Sequence, residues 1–390
     1  MARRHILRVD SLASIFGRLE ELVLAGSGED EFEEIFKLLI AKLWDERHGG
    51  RAFDGGGARA AILDRLLADA RREWPEILDG DARFLLGREH LERCAEALAG
   101  VSLGAGGGEA LDAAFEFLTA RAAKGKKGQF FTPRHVVELC VRMIAPARGE
   151  TVCDPACGSG AFLQHAARRA RVETWGFDFD PRAARIARAM QVVTPGGGGR
   201  IVRLNSLERP SIESHFDGNF DVILTNPPFA GELRERAILD GYRFGRGRAR
   251  VERDVLFIER CVELLRPGGR LAIVLPHNKF AGAQHAELRR WLIDRLRVTA
   301  VVGLGRNTFM PHTSQKASVL FGVKRERVRD GGSGGAERIF FAVSERDGKT
   351  PQGEPRLRPG AGGAAGAAWQ RVDHDLDEIE AAYARHREAG

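Results

Sequence analysis

The chain has 390 residues, 43% hydrophobic and 29% charged; this is the make-up of a globular protein, too long for one ordinary core of ~100–200 residues, so one large domain and a smaller companion are expected. No apolar run reaches the ~18 residues of a membrane span, and the charged stretch from Met1 to Asp10 lacks the apolar run of a secretory signal, so no membrane partner and a cytoplasmic setting are expected. A net charge of +6 and a pI near 9.3 suit a polyanionic partner, whereas five scattered cysteines, Cys94, Cys140, Cys153, Cys157 and Cys261, argue against a disulfide framework. Cys153 and Cys157 have no second Cys or His pair at zinc spacing, so no metal is implied.

From Met1 to about Leu118 the pattern is helical. Phe32, Ile35, Phe36, Leu39, Ile40, Leu43 and Trp44 recur at helical spacing and predict one apolar face. Ser27 with Asp30 reads as a capping box in front of it, and His48-Gly49-Gly50 closes it. A further helix carries Ile62, Leu63, Leu66, Leu67 and Trp74, up to a break at Pro75. A glycine-rich joint at 104–108 and a short helix then lead to a basic loop with Arg121, Lys124, Lys126 and Lys127.

Beyond that loop, short β-branched runs at 151–154, 173–177, 201–204, 222–225, 271–275, 298–304 and 318–324 alternate with amphipathic helices. The alternation predicts an α/β fold, a mostly parallel sheet with helices on both faces. After Lys324 come a glycine run at 331–335, a further strand at 338–343, a Gly/Ala linker at 360–368 and a charged helix from about Asp375. The expected organisation is an all-helical N-terminal domain over 1–120, the α/β domain over 121–325, and a short tail over 326–390.

Asp154-Pro155-Ala156-Cys157-Gly158-Ser159-Gly160 follows a predicted strand and opens a helix. Its glycines let backbone approach a ligand closely, at the strand edge where open α/β sheets bind ligands. Asp178 ends the next strand 24 residues beyond Asp154, near the ~20-residue spacing at which a carboxylate accepts ribose hydroxyls; Asp180 is a rival for the role. No Gly-x-Gly-x-x-Gly run accompanies them, so S-adenosylmethionine is expected in preference to a dinucleotide.

Asn226-Pro227-Pro228-Phe229 directly follows the run at 222–225. The prolines remove backbone donors and leave carbonyl acceptors, and the Asn amide oxygen supplies another. Two acceptors can hold the two hydrogens of an exocyclic amine, with Phe229 stacked on the ring that carries it at ~1–3 kcal/mol. A third element, Gly128-Gln129-Phe130-Phe131-Thr132-Pro133, precedes a helix that Thr132 could cap. Arg234, Arg236, Arg243, Arg246, Arg248, Arg250 and Arg253 follow the Asn-Pro-Pro-Phe motif and suit phosphate contacts. His135, His277 and His285 have no carboxylate or second His at catalytic spacing and are assigned no role.

In this order the three motifs resemble those of the γ class of amino-group DNA methyltransferases. Ala114-Phe115-Glu116-Phe117-Leu118 leading into Lys126–Pro133, with Leu265-Arg266-Pro267-Gly268-Gly269-Arg270 and Leu275-Pro276, is similar to the modification subunits of type I restriction-modification systems. The resemblance implies a Rossmann-like class I methyltransferase fold and transfer of a methyl group from S-adenosylmethionine to the exocyclic amine of an adenine flipped out of double-stranded DNA. It further implies that Phe130 and Thr132 contact the cofactor's methionine part, Asp154 its amino group and Asp178 its ribose, with close approach at Gly158 and Gly160. Asn205 stands where many relatives carry an Asp against the cofactor's adenine. Lys126, Lys127, Arg246, Arg248 and Arg250 are the candidate DNA contacts. About sixty-six residues after Lys324 leave no room for a base-reading domain, so a separate specificity subunit and a restriction subunit are expected partners. Leu376, Ile379 and Tyr383 offer a stripe that either docks such a partner or packs on its own domain. Two alternatives stand beside this reading: methylation of a protein glutamine amide, and a non-catalytic scaffold that keeps a methylase fold.

Overall fold

The computed structural model describes residues 9–27, 30–54, 59–104, 109–122, 131–196, 198–209, 216–329, 337–359 and 368–389. Lys126, Lys127 and Phe130 lie outside them. The chain divides into two units, Met1–Lys126 with Arg188–Pro195, and Lys127–Ala187 with Gly196–Gly390.

The first unit holds α1 (Val9–Ser27), α2 (Glu31–Arg47), α3 (Ala60–Glu73), α4 (Arg88–Ala97) and α5 (Glu109–Ala122). The N-cap of α2 is Asp30, whose carboxylate accepts the Glu33 N–H at 3.3 Å, while Ser27 is the last residue of α1. Sequence periodicity gives α2 one apolar face, yet Glu34, Lys37, Lys42 and Asp45 are buried as well. Burial is tolerated because these groups are partnered. Lys37 is paired with Glu34 and donates to the Arg83 carbonyl at 2.6 Å, and the Lys42 ammonium stands 4.6 Å from the Phe53 ring centre. Phe36 meets Phe115 of α5 at 5.5 Å. On α3, Leu63, Leu66 and Leu67 point inward but Ile62 is exposed, since its neighbour Leu63 already occupies the narrow inward face.

The second unit starts with α6 (Arg134–Ile144), β1 (Thr151–Asp154), α7 (Ala161–Arg169), β2 (Glu173–Asp178), α8 (Pro181–Val193, whose part from Arg188 on belongs to the first unit), β3 (Arg200–Arg203) and β4 (Phe220–Thr225). A two-stranded hairpin, β5 (Glu232–Leu233) with β6 (Val251–Glu252), encloses the short α9 (Arg236–Leu239). Then follow α10 (Arg253–Leu264), β7 (Leu265–Pro276), α11 (Asn278–Ala281), α12 (Ala286–Arg295), β8 (Leu296–Gly303), β9 (Ala317–Lys324), β10 (Phe340–Val343) and α13 (Leu376–Glu388). No described helix is long and apolar enough to cross a membrane.

Eight strands form one sheet in the order β10-β8-β9-β7-β4-β1-β2-β3, in which β9 runs against its neighbours and the other pairings are parallel. β4, β9 and the second half of β7, from Leu271 to Pro276, are buried along nearly their whole length because both faces are covered. One core, on the side of α6, α7 and α13, includes Val136, Cys140, Phe162, Val222, Leu224 and Val274. The other, on the side of α10 and α12, includes Phe177, Ile223, Leu256, Ile258, Leu271 and Trp291. From β1 the chain winds outward to β2 and β3, then returns to place β4 on the other side of β1. That reversal opens a crevice at the carboxyl ends of β1 and β4, where ligands bind in open α/β sheets.

Residues beyond Lys324 continue this unit. β10 extends the sheet beside β8, and α13 packs against α6 with Leu376, Ile379 and Tyr383 buried, the Tyr383 ring 5.6 Å from Phe340. The apolar stripe of α13 is therefore spent within its own unit and is not free for a partner.

Candidate active site at the sheet switch point

Asp154 ends β1 with 1% of its surface exposed and accepts the Ala156 N–H at 3.0 Å. Burial pushes its carboxyl up to about 7, against the pull of that hydrogen bond, and the nearby Asp178 adds to the rise. Asp178 ends β2 and accepts N–H groups from Gly158 at 2.9 Å and Asp180 at 2.8 Å. Burial pushes it up to about 6 despite these donors. Asp180 instead accepts the Arg182 N–H at 2.8 Å, at the start of α8. Two desolvated carboxylates thus flank one glycine turn, a setting that favours a ligand bearing positive charge and hydroxyl donors.

The turn is shaped by its glycines. Gly158 (φ +52°) and Gly160 (φ +81°) adopt left-handed backbone, which side chains other than glycine's rarely tolerate. A Cβ added at Gly158 would project into open space, and one at Gly160 would meet Ala187 at 3.4 Å. Gly158 therefore leaves room on the ligand side. These residues fit S-adenosylmethionine, whose ammonium and sulfonium would relieve the buried carboxylates. Asn205, after β3, uses its amide locally: Oδ1 accepts the Leu207 N–H at 3.2 Å and Nδ2 donates to Glu208 at 2.8 Å.

Asn226 follows the buried end of β4. Its Nδ2 donates to the Thr132 hydroxyl at 3.0 Å, and its Oδ1 is buried with no hydrogen-bond partner among the described residues. A buried acceptor without a donor is costly, ~1–3 kcal/mol, unless a ligand satisfies it. Thr132 does not cap α6, whose N-cap is Pro133 without a side-chain cap bond. Pro227 is buried and Pro228 half-buried. The Phe229 ring is only 8% exposed and meets Phe309 edge-on at 5.3 Å.

The N-6 DNA Methylase family model matches residues 108–359. The chain belongs to that family. Among curated proteins it is 28% identical over 223 residues to the methylase subunit of the type I restriction enzyme EcoEI of Escherichia coli, covering 53% of this chain and 44% of that protein; it thus spans under half of that relative's length. A structure named as the modification subunit of a type I restriction enzyme from Vibrio vulnificus YJ016 matches with a TM-score of 0.65 at 19% identity, over 98% of this chain and 91% of that one. One named as a class I S-adenosylmethionine-dependent methyltransferase from Listeria monocytogenes matches at 0.58 and 14% identity, over 86% and 92%. The fold is the class I methyltransferase fold expected from the motifs.

In this family member the segment after Phe229 is tied down by side-chain contacts. Arg253 donates to the Ala230 carbonyl at 3.1 Å and fills the space beside Gly231. Lys279, 4% exposed, is ion-paired with Glu252 at 2.8 Å and with the buried Asp254 at 3.1 Å. His285, with no expected carboxylate partner, lies 3.4 Å from Glu252, and His135 stacks on His374 at 5.0 Å. Burial lowers His135 to about 3, aided by the His374 and Lys349 charges. Arg246, Arg248 and Arg250 are all exposed. Glu232 takes Arg250 at 3.2 Å and Arg234 at 3.6 Å, and Glu287 takes Arg243 at 3.6 Å and Arg248 at 3.9 Å. These acids escaped the sequence reading, as did Phe309 and the Thr132–Asn226 bond, because none belongs to a local pattern.

Proposed function

We propose that this chain transfers a methyl group from S-adenosylmethionine to the exocyclic amine of adenine in DNA, as the modification subunit of a restriction-modification or related defence system. The observation that carries the reading is the buried, unpartnered Oδ1 of Asn226, at the same switch point as the carboxylates of Asp154 and Asp178. When bound, S-adenosylmethionine supplies an electrophilic methyl. Asp154 and Asp178 would hold its cationic and hydroxyl-bearing parts, with Asn205 beside its adenine. Asn226 Oδ1 accepts one hydrogen of the target amine and the Pro227 carbonyl the other, turning the nitrogen lone pair toward the methyl. No base has to act first, because the amine sheds its proton after the new bond forms. Stacking of the extruded base on Phe229 would compete with the Phe309 contact. The decisive experiment supplies methyl-labelled S-adenosylmethionine with duplex DNA or with protein carrying glutamine, and identifies the labelled nucleoside. Label appearing only on a protein amide would overturn the assignment.

Arg246, Arg248 and Arg250 would contact DNA phosphates. Their joint replacement by alanine is expected to weaken binding to all sequences alike and to reduce the slope of log affinity against log salt by about 0.9 for each phosphate no longer neutralised. An unchanged slope removes these residues from the interface.

Recognition of bases requires side chains aimed at base edges beyond phosphate contacts. A separate specificity subunit is proposed to supply them, with a restriction subunit as a further partner of the same complex. Adding that subunit is expected to raise methyl transfer by the purified chain and to confine it to one sequence. Efficient sequence-specific methylation by the chain alone would refute the requirement.

A further inference from the structure

We propose that Thr132 is a positioning residue that anchors the Asn226 amide in the place where its Oδ1 meets the target amine; this rests on reading Asn226 as the acceptor for that amine. A carboxamide has a donor end and an acceptor end of nearly equal size. A hydroxyl can meet either end, so the incoming amine, itself a donor, selects Oδ1, and the Thr132 contact restrains where the amide sits. The structure shows the productive arrangement: Nδ2 donates to Thr132 Oγ1 at 3.0 Å, and Oδ1 is left buried and unpartnered among the described residues.

Thr132 is built to hold this position. The following Pro133 restricts its backbone to extended conformations, and its branched Cβ limits χ1. Pro133 is the N-cap of α6, whose Val136, Val137 and Cys140 are fully buried, so the arm that carries the hydroxyl is anchored in the core. The bond joins positions 94 residues apart, from the loop before α6 to the end of β4. The resemblance assigns Thr132 to the methionine part of the cofactor; the geometry assigns its hydroxyl to Asn226, and the two roles are separable by experiment.

Thr132→Val removes the hydroxyl at nearly constant shape, and Thr132→Ser retains it. Single-turnover methyl transfer, with any required specificity subunit present, is expected to fall about tenfold to a hundredfold in the valine variant and to recover in the serine variant, while cofactor Kd stays within about twofold. A merely structural role for Thr132 would lower thermal stability and cofactor affinity along with transfer. Independently of activity, 15N-asparagine labelling of a chain with five asparagines gives few side-chain amide signals. The Asn226 signal, identified by its loss in Asn226→Ala, is expected to show slowed proton exchange in the parent and fast exchange in Thr132→Val. Unchanged transfer with unchanged exchange in the valine variant overturns the proposal, and so does loss of cofactor binding while the Asn226 amide keeps its protection. A parent that methylates no DNA yet shows the exchange difference would refute the proposed reaction and leave the Thr132–Asn226 contact standing.

Discussion

Asn226→Ala is expected to lower methyl transfer by about two to three orders of magnitude, the scale on which removing one hydrogen bond directed at a reacting group acts, with cofactor binding nearly intact. The two effects separate because the cofactor turn does not depend on Asn226. Asp154 and Asp178 are held by the N–H groups of Ala156, Gly158 and Asp180, and the turn is tied to β2 by the Cys157 N–H on the Phe177 carbonyl at 2.9 Å. Asn226 is joined instead to Thr132 on another element. Loss of that one hydrogen bond costs about 1 kcal/mol, and removing the unpartnered Oδ1 returns a similar amount, so the variant is expected to stay folded. Calorimetric titration with S-adenosylmethionine beside a labelled-methyl assay checks both halves. A folded variant that lost cofactor binding in step with transfer would move Asn226 into the cofactor site.

The strands were legible in the sequence wherever both faces are covered. A strand buried on two sides reads as a short apolar run between glycines and prolines, and β1, β4 and the second half of β7 each lie on such a run, while β2, β8 and β9 were marked by β-branched and aromatic residues. The glycine turn was legible for a different reason, since left-handed backbone demands glycine at 158 and 160, and the proposed amine capture rests on a motif whose prolines at 227 and 228 leave carbonyl acceptors without N–H donors. Pairing across the chain was not legible. Nothing local in Thr132 announces Asn226, and counting arginines between 234 and 253 cannot show that Glu232 and Glu287 already engage four of them. The cap of α2 was misread because Ser27 has the right chemistry but belongs to the preceding helix. The stripe on α13 shows the opposite limit: helical spacing identifies an apolar face, but only the structure reveals that α6 and Phe340 cover it.

Asp154→Asn is expected to make the empty protein more stable at pH 8 and, in the same variant, to weaken cofactor binding by at least about tenfold, the loss expected for a charge-assisted hydrogen bond. Burial raises the Asp154 carboxyl from 3.8 to about 7. The unfolded chain therefore gives up this proton first as pH rises. Stability contributed by the protonated group is fully present below about 4 and is lost progressively up to about 7, an amount on the order of a few kcal/mol. Asparagine keeps the shape and never ionises, so its melting temperature should match the parent at pH 4 and exceed it at pH 8. The ligand reverses the preference. A cationic cofactor selects the ionised carboxylate, so the parent's affinity should climb with pH through the range set by Asp178 at about 6 and Asp154 at about 7, then level off. The asparagine variant should keep only the lower step. Differential scanning calorimetry across pH and cofactor titrations at pH 5.5 and 8 measure the two sides of this exchange. A variant that melts below the parent at pH 8, or binds cofactor as tightly there, would remove the buried charge of Asp154 from the cofactor site.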